Sequence, residues 1–444
     1  MRLIRLILIL PCLLVLFAAA PAGAADCDTQ EGCIEQARSA RAFIDSAGVN
    51  THLGYSDTVY WWDWPMVRDR LKELGVSHIR DGTFPAAYPH VIGPTVAARY
   101  NELNAAGIKG NLMVGVEHAH NDITLAQRLD WIKANLADFT ASVEGSSESW
   151  DDANAIRDLQ CDIYARVKSD PVLSSKPVIG PSGGPPFSET AWYDRVGDLS
   201  GCLDKGNLHP YPGADPPNLH QHRDLSAAME WGARTYGASP NWATETGYWN
   251  TLTDANGVSE TAAGIYVPRT LTENFRRGIE RTELYELVDL HTGSGEAIDH
   301  YGLLRTDGTR KPAYVATRNL LSLLQDGVAA SGRLGFGIVC TSNCRAPIRH
   351  VLLRHSSGAY YLALWSESRV WDEASKTDTP TPPQTLDLYL HRAPQRVEVY
   401  APARGTSPVA TDTSGATLVR TRATDDVRLV KITPAAGAAG DQEP

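Results

Sequence analysis

The sequence predicts a (β/α)8 barrel followed by a β-sandwich, and three observations predict it. Between residues 48 and 325, short apolar runs alternate eight times with stretches of helical periodicity; a barrel of this kind takes about 250 residues. Beyond residue 335 the periodicity falls to two, in short runs separated by turn residues such as Ser356-Ser357-Gly358, the pattern of a small sandwich. Polar residues, many of them acidic, stand at the C-terminal ends of the barrel runs, and those ends share one face when a barrel closes. An open doubly wound sheet would need a Gly-rich phosphate turn after the first run, and none is present.

In order, residues 26–42 are polar and read as a short helical or irregular lead-in. Residues 48–54 form the first strand. Trp64-Pro65 opens the first helix, since proline suits an early helical position. Met66, Val67, Leu71 and Leu74 share one of its faces, and Gly75 stops it. Residues 77–80 are the second strand, followed by a helix over 96–106 that stops at Gly107. The third strand is 110–116 and its helix 123–136. The fourth strand ends at Glu144, and its helix, 152–168, carries Ile156, Leu159, Ile163 and Val167 at helical spacing. Strand five (176–182), a short helix (192–199), strand six (206–211), a helix (225–236), strand seven (241–246), a helix (261–277), strand eight (282–290) and a last helix (311–325) complete the alternation. The sandwich runs are 348–354, 359–365, 384–390, 396–401, 416–420 and 427–432, with a Thr/Pro-rich loop over 373–383.

Met1-Arg2-Leu3-Ile4-Arg5, an apolar run over 6–20 and Ala22-Gly23-Ala24 give the basic start, short apolar middle and A-x-A site of a secretory signal. The run is short for a membrane anchor. The predicted organisation is a signal peptide over 1–24, the barrel over 25–330, the sandwich over 331–433 and a disordered tail over 434–444. The mature chain is expected to be secreted or periplasmic, with no stable membrane insertion. Its net charge moves from −11 to −13, because Arg2 and Arg5 leave and no acid does. That balance argues against nucleic acid and strongly anionic polymers as main partners. Of seven cysteines, Cys12 leaves with the signal. An even number in an exported chain suggests disulfides: Cys27 with Cys33, Cys340 with Cys344, and Cys161 left for Cys202. No C-x-x-C pair with histidine partners supports zinc, and no motif implies a cofactor.

Two stretches carry the chemistry. Val143-Glu144-Gly145-Ser146-Ser147-Glu148-Ser149 and Trp242-Ala243-Thr244-Glu245-Thr246-Gly247-Tyr248 each end a buried run and deliver glutamate to a loop. Two carboxylates brought to one cleft are the minimum equipment for cleaving a glycosidic bond. One holds a proton for the leaving oxygen, and the other stays ionised to meet the developing cation. Glu148 and Glu245 are the expected pair. The barrel face gathers Asn50, His52, Arg80, Asp81, Glu117, His118, Ser182, His209, Tyr211, Glu286 and Asp289 around them.

Glu144-Gly145-Ser146-Ser147-Glu148 resembles the E-G-x-N-E motif that ends the fourth strand of the clan A glycoside hydrolases. Thr244-Glu245-Thr246-Gly247 resembles the T-E-x-G motif of their seventh strand, and Arg80 and His209-Pro210-Tyr211 also fit. The segment Asp299-His300-Tyr301-Gly302-Leu303-Leu304, then Lys311-Pro312-Ala313-Tyr314 and the trailing sandwich, is most similar to glycoside hydrolase family 39 and related exopolysaccharide endoglycosidases. The resemblance covers residues 48–325. It implies a retaining (β/α)8 enzyme acting on a carbohydrate, with Glu148 as acid/base and Glu245 as nucleophile. It also implies acids about 5–5.5 Å apart, with Arg80 and the Tyr211 hydroxyl keeping Glu245 ionised. Ser147 departs from the motif, whose Asn holds the sugar 2-hydroxyl in a contact that tightens in the transition state. With that departure, water or another residue fills in, or the substrate differs at this position, as a furanoside or an unusual sugar does, or activity is lost.

The plainer readings have residues of their own. Glu144 reads as structural, bonding backbone or a barrel-floor arginine. Asp151 and Asp152 already serve the start of the next helix, so Glu148 is not needed there. His118-Ala119-His120 has the spacing of a metal pair but lacks matching ligands, so sugar contact is the expected role of His118. Trp150 and Trp249 are the aromatics expected to line the cleft, since aromatic faces suit the C–H face of sugars. The expected substrate-binding set is Arg80, His118, Ser147, Trp150, His209, Tyr211 and Trp249. Two rivals stand beside the hydrolase: a carbohydrate-binding barrel without turnover, suggested by Ser147, and a metal-dependent hydrolase built on His118 and His120.

Overall fold

The computed structural model of the chain describes residues 27–85, 92–115, 123–149, 152–183, 189–220 and 222–435. The expected signal peptide and the tail from residue 436 onward lie outside the described residues. Eight parallel strands form the barrel: β1 (Ala47–Asn50), β2 (His78–Gly82), β3 (Lys109–Met113), β4 (Thr140–Glu144), β5 (Val178–Ile179), β6 (Gly206–Leu208), β7 (Asn241–Thr246) and β8 (Arg281–Leu284). Their spatial order is β5-β4-β3-β2-β1-β8-β7-β6. A parallel bridge from Ile179 to Lys205, just ahead of β6, closes the ring.

Helices follow the strands: α1 (Trp64–Leu74), α2 (Ile92–Ala105), α3 (Leu125–Asn135), α4 (Ala153–Ser169), α5 (Glu189–Val196), α6 (Leu225–Tyr236), α7 (Glu260–Arg276) and α8 (Pro312–Leu324). Their ends are written locally. Asp63 caps α1 by accepting from the Met66 N–H, and Gly75 ends it at φ 83°, a left-handed turn that costs glycine nothing. Thr124 and Gln127 form a capping box on α3. Asp152 caps α4 and so fixes where the β4–α4 loop, home of Glu148, must end.

Several strands are shorter at their C-terminal ends than the sequence predicts. β1 stops at Asn50, β3 at Met113 and β8 at Leu284, and β5 keeps two residues. Pro177 and Pro181 have no N–H for a ladder, which confines β5. After β8 the chain leaves the strand pairing; its Tyr285–Glu286 peptide is cis, and the Leu287 N–H donates to the Asn50 carbonyl at 3.2 Å. Inside the barrel, register sets Asn50 opposite Arg80, Arg80 opposite Asn111 and Asn111 opposite Ser142. These residues make one polar interior layer.

The second body is a sandwich of β9 (Gly332–Ser342), β10 (Ile348–Arg354), β11 (Tyr360–Ser366), β12 (Gln384–Leu390), β13 (Pro394–Tyr400), β14 (Pro408–Asp412), β15 (Leu418–Ala423) and β16 (Arg428–Pro434). β9, β12 and β15 form one layer, and β10, β11, β16, β13 and β14 the other. The lead-in, expected to be helical or irregular, is instead a strand over Cys33–Ser39. It pairs antiparallel with β9 and parallel with β10, joining the two layers, before a short helix over Ala40–Asp45. Its burial alternates weakly, so period two is faint in its sequence. β14, exposed along most of its length, is an edge strand with no counterpart among the predicted runs, and neither has β9. Phe336, Leu386 and Leu388 meet Leu362, Leu364 and Val430 between the layers. Leu353, Tyr361, Ala363, Trp365 and Leu429 turn the other way, into the barrel's core. β11 is therefore buried at every position, and the sandwich packs on the barrel through a shared apolar seam.

The three expected cysteine pairs form, with Cα–Cα distances of 4.8 Å for Cys27–Cys33, 4.9 Å for Cys161–Cys202 and 5.8 Å for Cys340–Cys344. Cys161–Cys202 spans 41 residues, and closing a loop of that length contributes about 4 kcal/mol on the chain-entropy account. Among the described residues, no helix is long and apolar enough to cross a membrane.

Candidate active site

The site is built on Arg80, which β2 sets in the buried polar layer that floors the cleft, with 2% of its side chain exposed. A buried guanidinium needs every donor satisfied, and it has them. Nε donates to both Glu144 oxygens at 3.0 Å, and the two terminal nitrogens reach Asn50 Oδ1 (2.9 Å), Glu245 Oε1 (2.5 Å), Glu144 Oε1 (2.7 Å) and Ser147 Oγ (3.0 Å). Glu144 also accepts from Asn111 Nδ2 at 2.6 Å and Asn207 Nδ2 at 3.2 Å. It is the buried partner of a barrel-floor arginine, as its place in the sequence suggests.

Glu148 and Glu245 come to one cleft. Glu245, near the end of β7, is 13% exposed, and Glu148 is 33% exposed. One carboxylate oxygen from each lies within 4.8 Å of the other and of a His209 ring nitrogen. Glu148 sits at φ 49°, where a non-glycine residue costs roughly 1–3 kcal/mol. Ser182, at the end of the β5 run, clamps that turn. Its Oγ accepts from the Glu148 N–H, and its own N–H donates to the Ser146 carbonyl, both at 3.0 Å. A strained turn held from outside turns the Glu148 side chain toward Glu245.

Electrostatics separates the two acids. Burial alone would raise the Glu245 carboxyl. The charges of His209 and Arg80 and the hydrogen bonds from Tyr211 (2.9 Å) and Arg80 overcome it and hold the group at about 2. Glu245 is thus an anion at any ordinary pH. His209 Nδ1 lies 2.9 Å from Glu148 Oε1 and 3.5 Å from Glu245 Oε2, and its Nε2 meets Thr244 Oγ1 at 3.1 Å. Burial would lower His209; Glu245 first, and then the hydrogen bond and charge of Glu148, raise it instead. His209 thus sets an imidazole that protonates more readily than usual against Glu148 Oε1.

The cleft has a volume of about 730 Å³. The expected residues Arg80, Ser147, Glu148, His209, Tyr211, Glu245 and Trp249 all line it; His118 and Trp150, together with Glu117 and His120, lie outside the described residues. The other acids of the barrel face turn elsewhere. Asp81 accepts from Thr51 Oγ1 at 2.7 Å, Asp289 accepts from Lys311 Nζ at 2.8 Å, and Glu286 is buried behind His52 at 3.2 Å. Sequence reasoning missed Tyr285 and Tyr301. Their rings lie 5.3 Å apart and, with Tyr211, His52 and Trp249, make one aromatic wall. Tyr301 belongs to the segment after the eighth strand whose motif was legible. Tyr285 sits where an unbroken eighth strand was expected, and that expectation hid its role.

Two clusters among the described residues have the donors for a metal ion. In the cleft, Glu148, His209 and Glu245 converge, but Arg80 already holds one Glu245 oxygen and the Tyr211 phenol the other, and a second cation there would face a fixed guanidinium. Cys27, Glu35 and His350 form the other cluster, but Cys27 is bonded to Cys33 and offers no thiolate.

No protein-family model and no curated protein sequence matches the chain. Solved structures do. A family 39 glycoside hydrolase from Bacteroides cellulosilyticus is similar over 89% of this chain and 81% of its own, with a TM-score of 0.61 at 13% identity. A glucosidase from Croceicoccus marinus is similar over 92% and 100%, with a TM-score of 0.57 at 11% identity. AbfB, a family 51 α-L-arabinofuranosidase from Bifidobacterium longum, is similar over 89% and 96%, with a TM-score of 0.55 at 12% identity. The fold is one that these glycoside hydrolases use. At such identities the likeness concerns architecture, and it spans barrel and sandwich together, so the pairing of the two bodies belongs to the shared fold.

Proposed function

We propose that the protein is an exported retaining glycoside hydrolase acting on a poly- or oligosaccharide, with Glu245 as nucleophile and Glu148 as acid/base. The observation that carries this reading is the pair itself: two carboxylates with oxygens within 4.8 Å in one cleft, one of them held ionised at about 2. So close an approach supports the narrow spacing of double displacement over the wider one that admits a water between acid and sugar. Glu245 attacks the anomeric carbon while the leaving oxygen takes a proton from Glu148. In the second step a water gives its proton to Glu148 and attacks the same carbon, releasing Glu245.

His209 Nδ1, 2.9 Å from Glu148 Oε1, is placed to exchange that proton with it. While Glu245 is an anion it favours the charged imidazolium. When Glu245 becomes an ester its charge is gone and His209 loses part of its stabilisation; its proton passes through Glu148 to the leaving oxygen, which leaves a Glu148 carboxylate beside a neutral imidazole to accept from water. Ser147 leaves the 2-hydroxyl position with a short hydroxyl that already accepts from Arg80, in keeping with a sugar unusual at C2 or with a furanoside. Export is supported by the three cysteine pairs.

A screen of aryl glycosides and of bacterial and plant polysaccharides tests the reading. The expected product keeps the anomeric configuration, followed by proton NMR, and Glu245→Gln lowers kcat by about 10⁴-fold or more with saccharide binding retained. Inverted product would sink the double displacement. Binding without turnover in the parent would establish the inactive barrel, and loss of turnover to a chelator with Glu245→Gln harmless would establish the metal hydrolase.

A further inference from the structure

The cleft is not made by the barrel alone. Between β11 and β12 the sandwich sends out a hairpin, Trp371–Asp372 paired with Thr377–Asp378, and Val370 and Trp371 are buried in the barrel's core. Three charged side chains of this segment reach barrel loops. Arg369 pairs with Asp215 in the loop after β6. Lys376 Nζ donates to the carbonyls of Asp254 (2.9 Å) and Ala255 in the loop after β7. Asp378 accepts from Ser259, the residue that caps α7. Two further bonds fix the hairpin's root: the Val370 N–H donates to the Tyr266 hydroxyl at 2.8 Å, and buried Arg269 donates to the Ser368 carbonyl at 2.9 Å.

The two gripped loops form one side of the cleft. Gly213 and His222 come from the first and Asn256 from the second, and a Cβ placed on Gly213 would lie 3.6 Å from the Asn256 side chain. The first loop also carries Tyr211, whose phenol bonds Glu245, and His220, whose Nδ1 meets the Tyr211 carbonyl at 3.0 Å. His222 stands at φ 61° with 77% of its side chain exposed. No burial rewards that left-handed backbone. Its Nδ1 lies 2.6 Å from Asp215 Oδ2, an ion pair when the imidazole is protonated. Asp215 is itself buried and held at its carbonyl by the Tyr248 hydroxyl at 2.9 Å. The chain of contacts runs from the sandwich, through Arg369 and Asp215, to a histidine that lines the cleft.

We infer that the sandwich hairpin is a positioning element for saccharide recognition. Arg369, acting through Asp215, holds His222 and the 211–220 stretch as a subsite for the part of a saccharide chain beyond the sugar at the scissile bond. Nε2 of His222 meets a hydroxyl of that chain. The positioning half stands on the contacts alone, and the subsite half rests on the glycosidase reading.

Hydrogen–deuterium exchange and kinetics on Arg369→Ala, Arg369→Lys and Lys376→Ala test the two halves separately. Arg369 is nearly half exposed, so its alanine variant folds. Exchange in the 211–222 peptides is expected to rise several-fold in Arg369→Ala, to return toward the parent in Arg369→Lys, and to rise in the 250–259 peptides in Lys376→Ala, with the barrel strands unchanged. On a polysaccharide and a 4-nitrophenyl glycoside that the parent turns over, Arg369→Ala is expected to raise KM for the polysaccharide about five- to tenfold, with kcat on the short glycoside within twofold. His222→Ala raises the polysaccharide KM alike. Unchanged exchange over 211–222 overturns the positioning role. Equal losses on both substrates overturn the subsite. A parent without turnover on any probe, with the exchange response present, refutes the glycosidase reading and supports the hairpin's role.

Discussion

Glu144 and Glu148 stand four residues apart in one segment and lead opposite lives. Glu144 is on the barrel floor, unexposed, with Arg80 along one edge and Asn111 and Asn207 on its oxygens. Glu148 is at the rim, one-third exposed, with His209 beside it and its backbone in a strained turn. The letters are the same, and what differs is the number of donors. A carboxylate whose lone pairs are all taken is a structural anion. One left with an open oxygen beside a proton reservoir can do chemistry. The floor holds Arg80 in place, and Arg80 then ionises Glu245, so the inert glutamate sets the charge of a reactive one.

Substituting the two in turn is the strongest way to break that contrast. Glu148→Gln is expected to lower kcat by about 10²–10⁴-fold, the usual range for a positioned acid/base, with the urea midpoint unmoved. Glu144→Gln leaves Arg80 buried with one full counter-charge where it had two, and breaking a buried pair costs about 3–5 kcal/mol. Its midpoint should fall steeply whatever happens to the rate. Equal losses of stability in the two variants would erase the distinction between floor and rim.

Tyr211→Phe sharpens the comparison at the rim. The phenol gives Glu245 a charge-assisted hydrogen bond at 2.9 Å, worth roughly 1.5–3 kcal/mol. Without it the anion is less favoured, so the Glu245 carboxyl rises from about 2. The acid limb of kcat/KM should move to higher pH, and the rate at neutral pH should fall roughly ten- to hundredfold. An acid limb that stays in place would mean that Arg80 and His209 alone keep Glu245 ionised.

The same contrast explains what the sequence disclosed. Barrel and sandwich followed from periodicity, because strands buried on both faces and one-sided helices leave different stripes. Glu148, Glu245, Arg80, His209 and Tyr211 were legible because each ends a strand, and a closed barrel turns strand ends to one place. The Cys33–Ser39 strand was not, since a strand that joins two layers has no simple alternation. Tyr285 was hidden by an eighth strand that ends three residues into its apolar run. Asn111 and Asn207 are mid-barrel amides in otherwise plain strands, and only the register shows that they converge on Glu144. Arg369 lies more than a hundred residues beyond the β7 glutamate, in a loop that reads as surface, and no local pattern ties it to the cleft.

Glu283 carries the smallest of these effects and the one with the clearest sign. It lies on β8, in the same buried layer as Glu144. Asn111 Nδ2 bridges the two, at 2.6 Å to Glu144 and 3.1 Å to Glu283. Burial first, and the neighbouring Glu144 charge after it, push the Glu283 carboxyl up to about 7 against the pull of Arg281. The floor thus sets a carboxyl with a raised pKa beside the one that pairs with Arg80. From the ordinary carboxyl range up to about 7, the folded chain keeps a proton that the unfolded chain gives up. Stability therefore falls as pH rises through that window, by roughly 1–3 kcal/mol. Glu283→Gln has no proton to lose in either state. Its Tm should match the parent near pH 4.5 and exceed it above pH 7, whereas parallel Tm–pH curves would show Glu283 to be an ordinary ionised member of the floor.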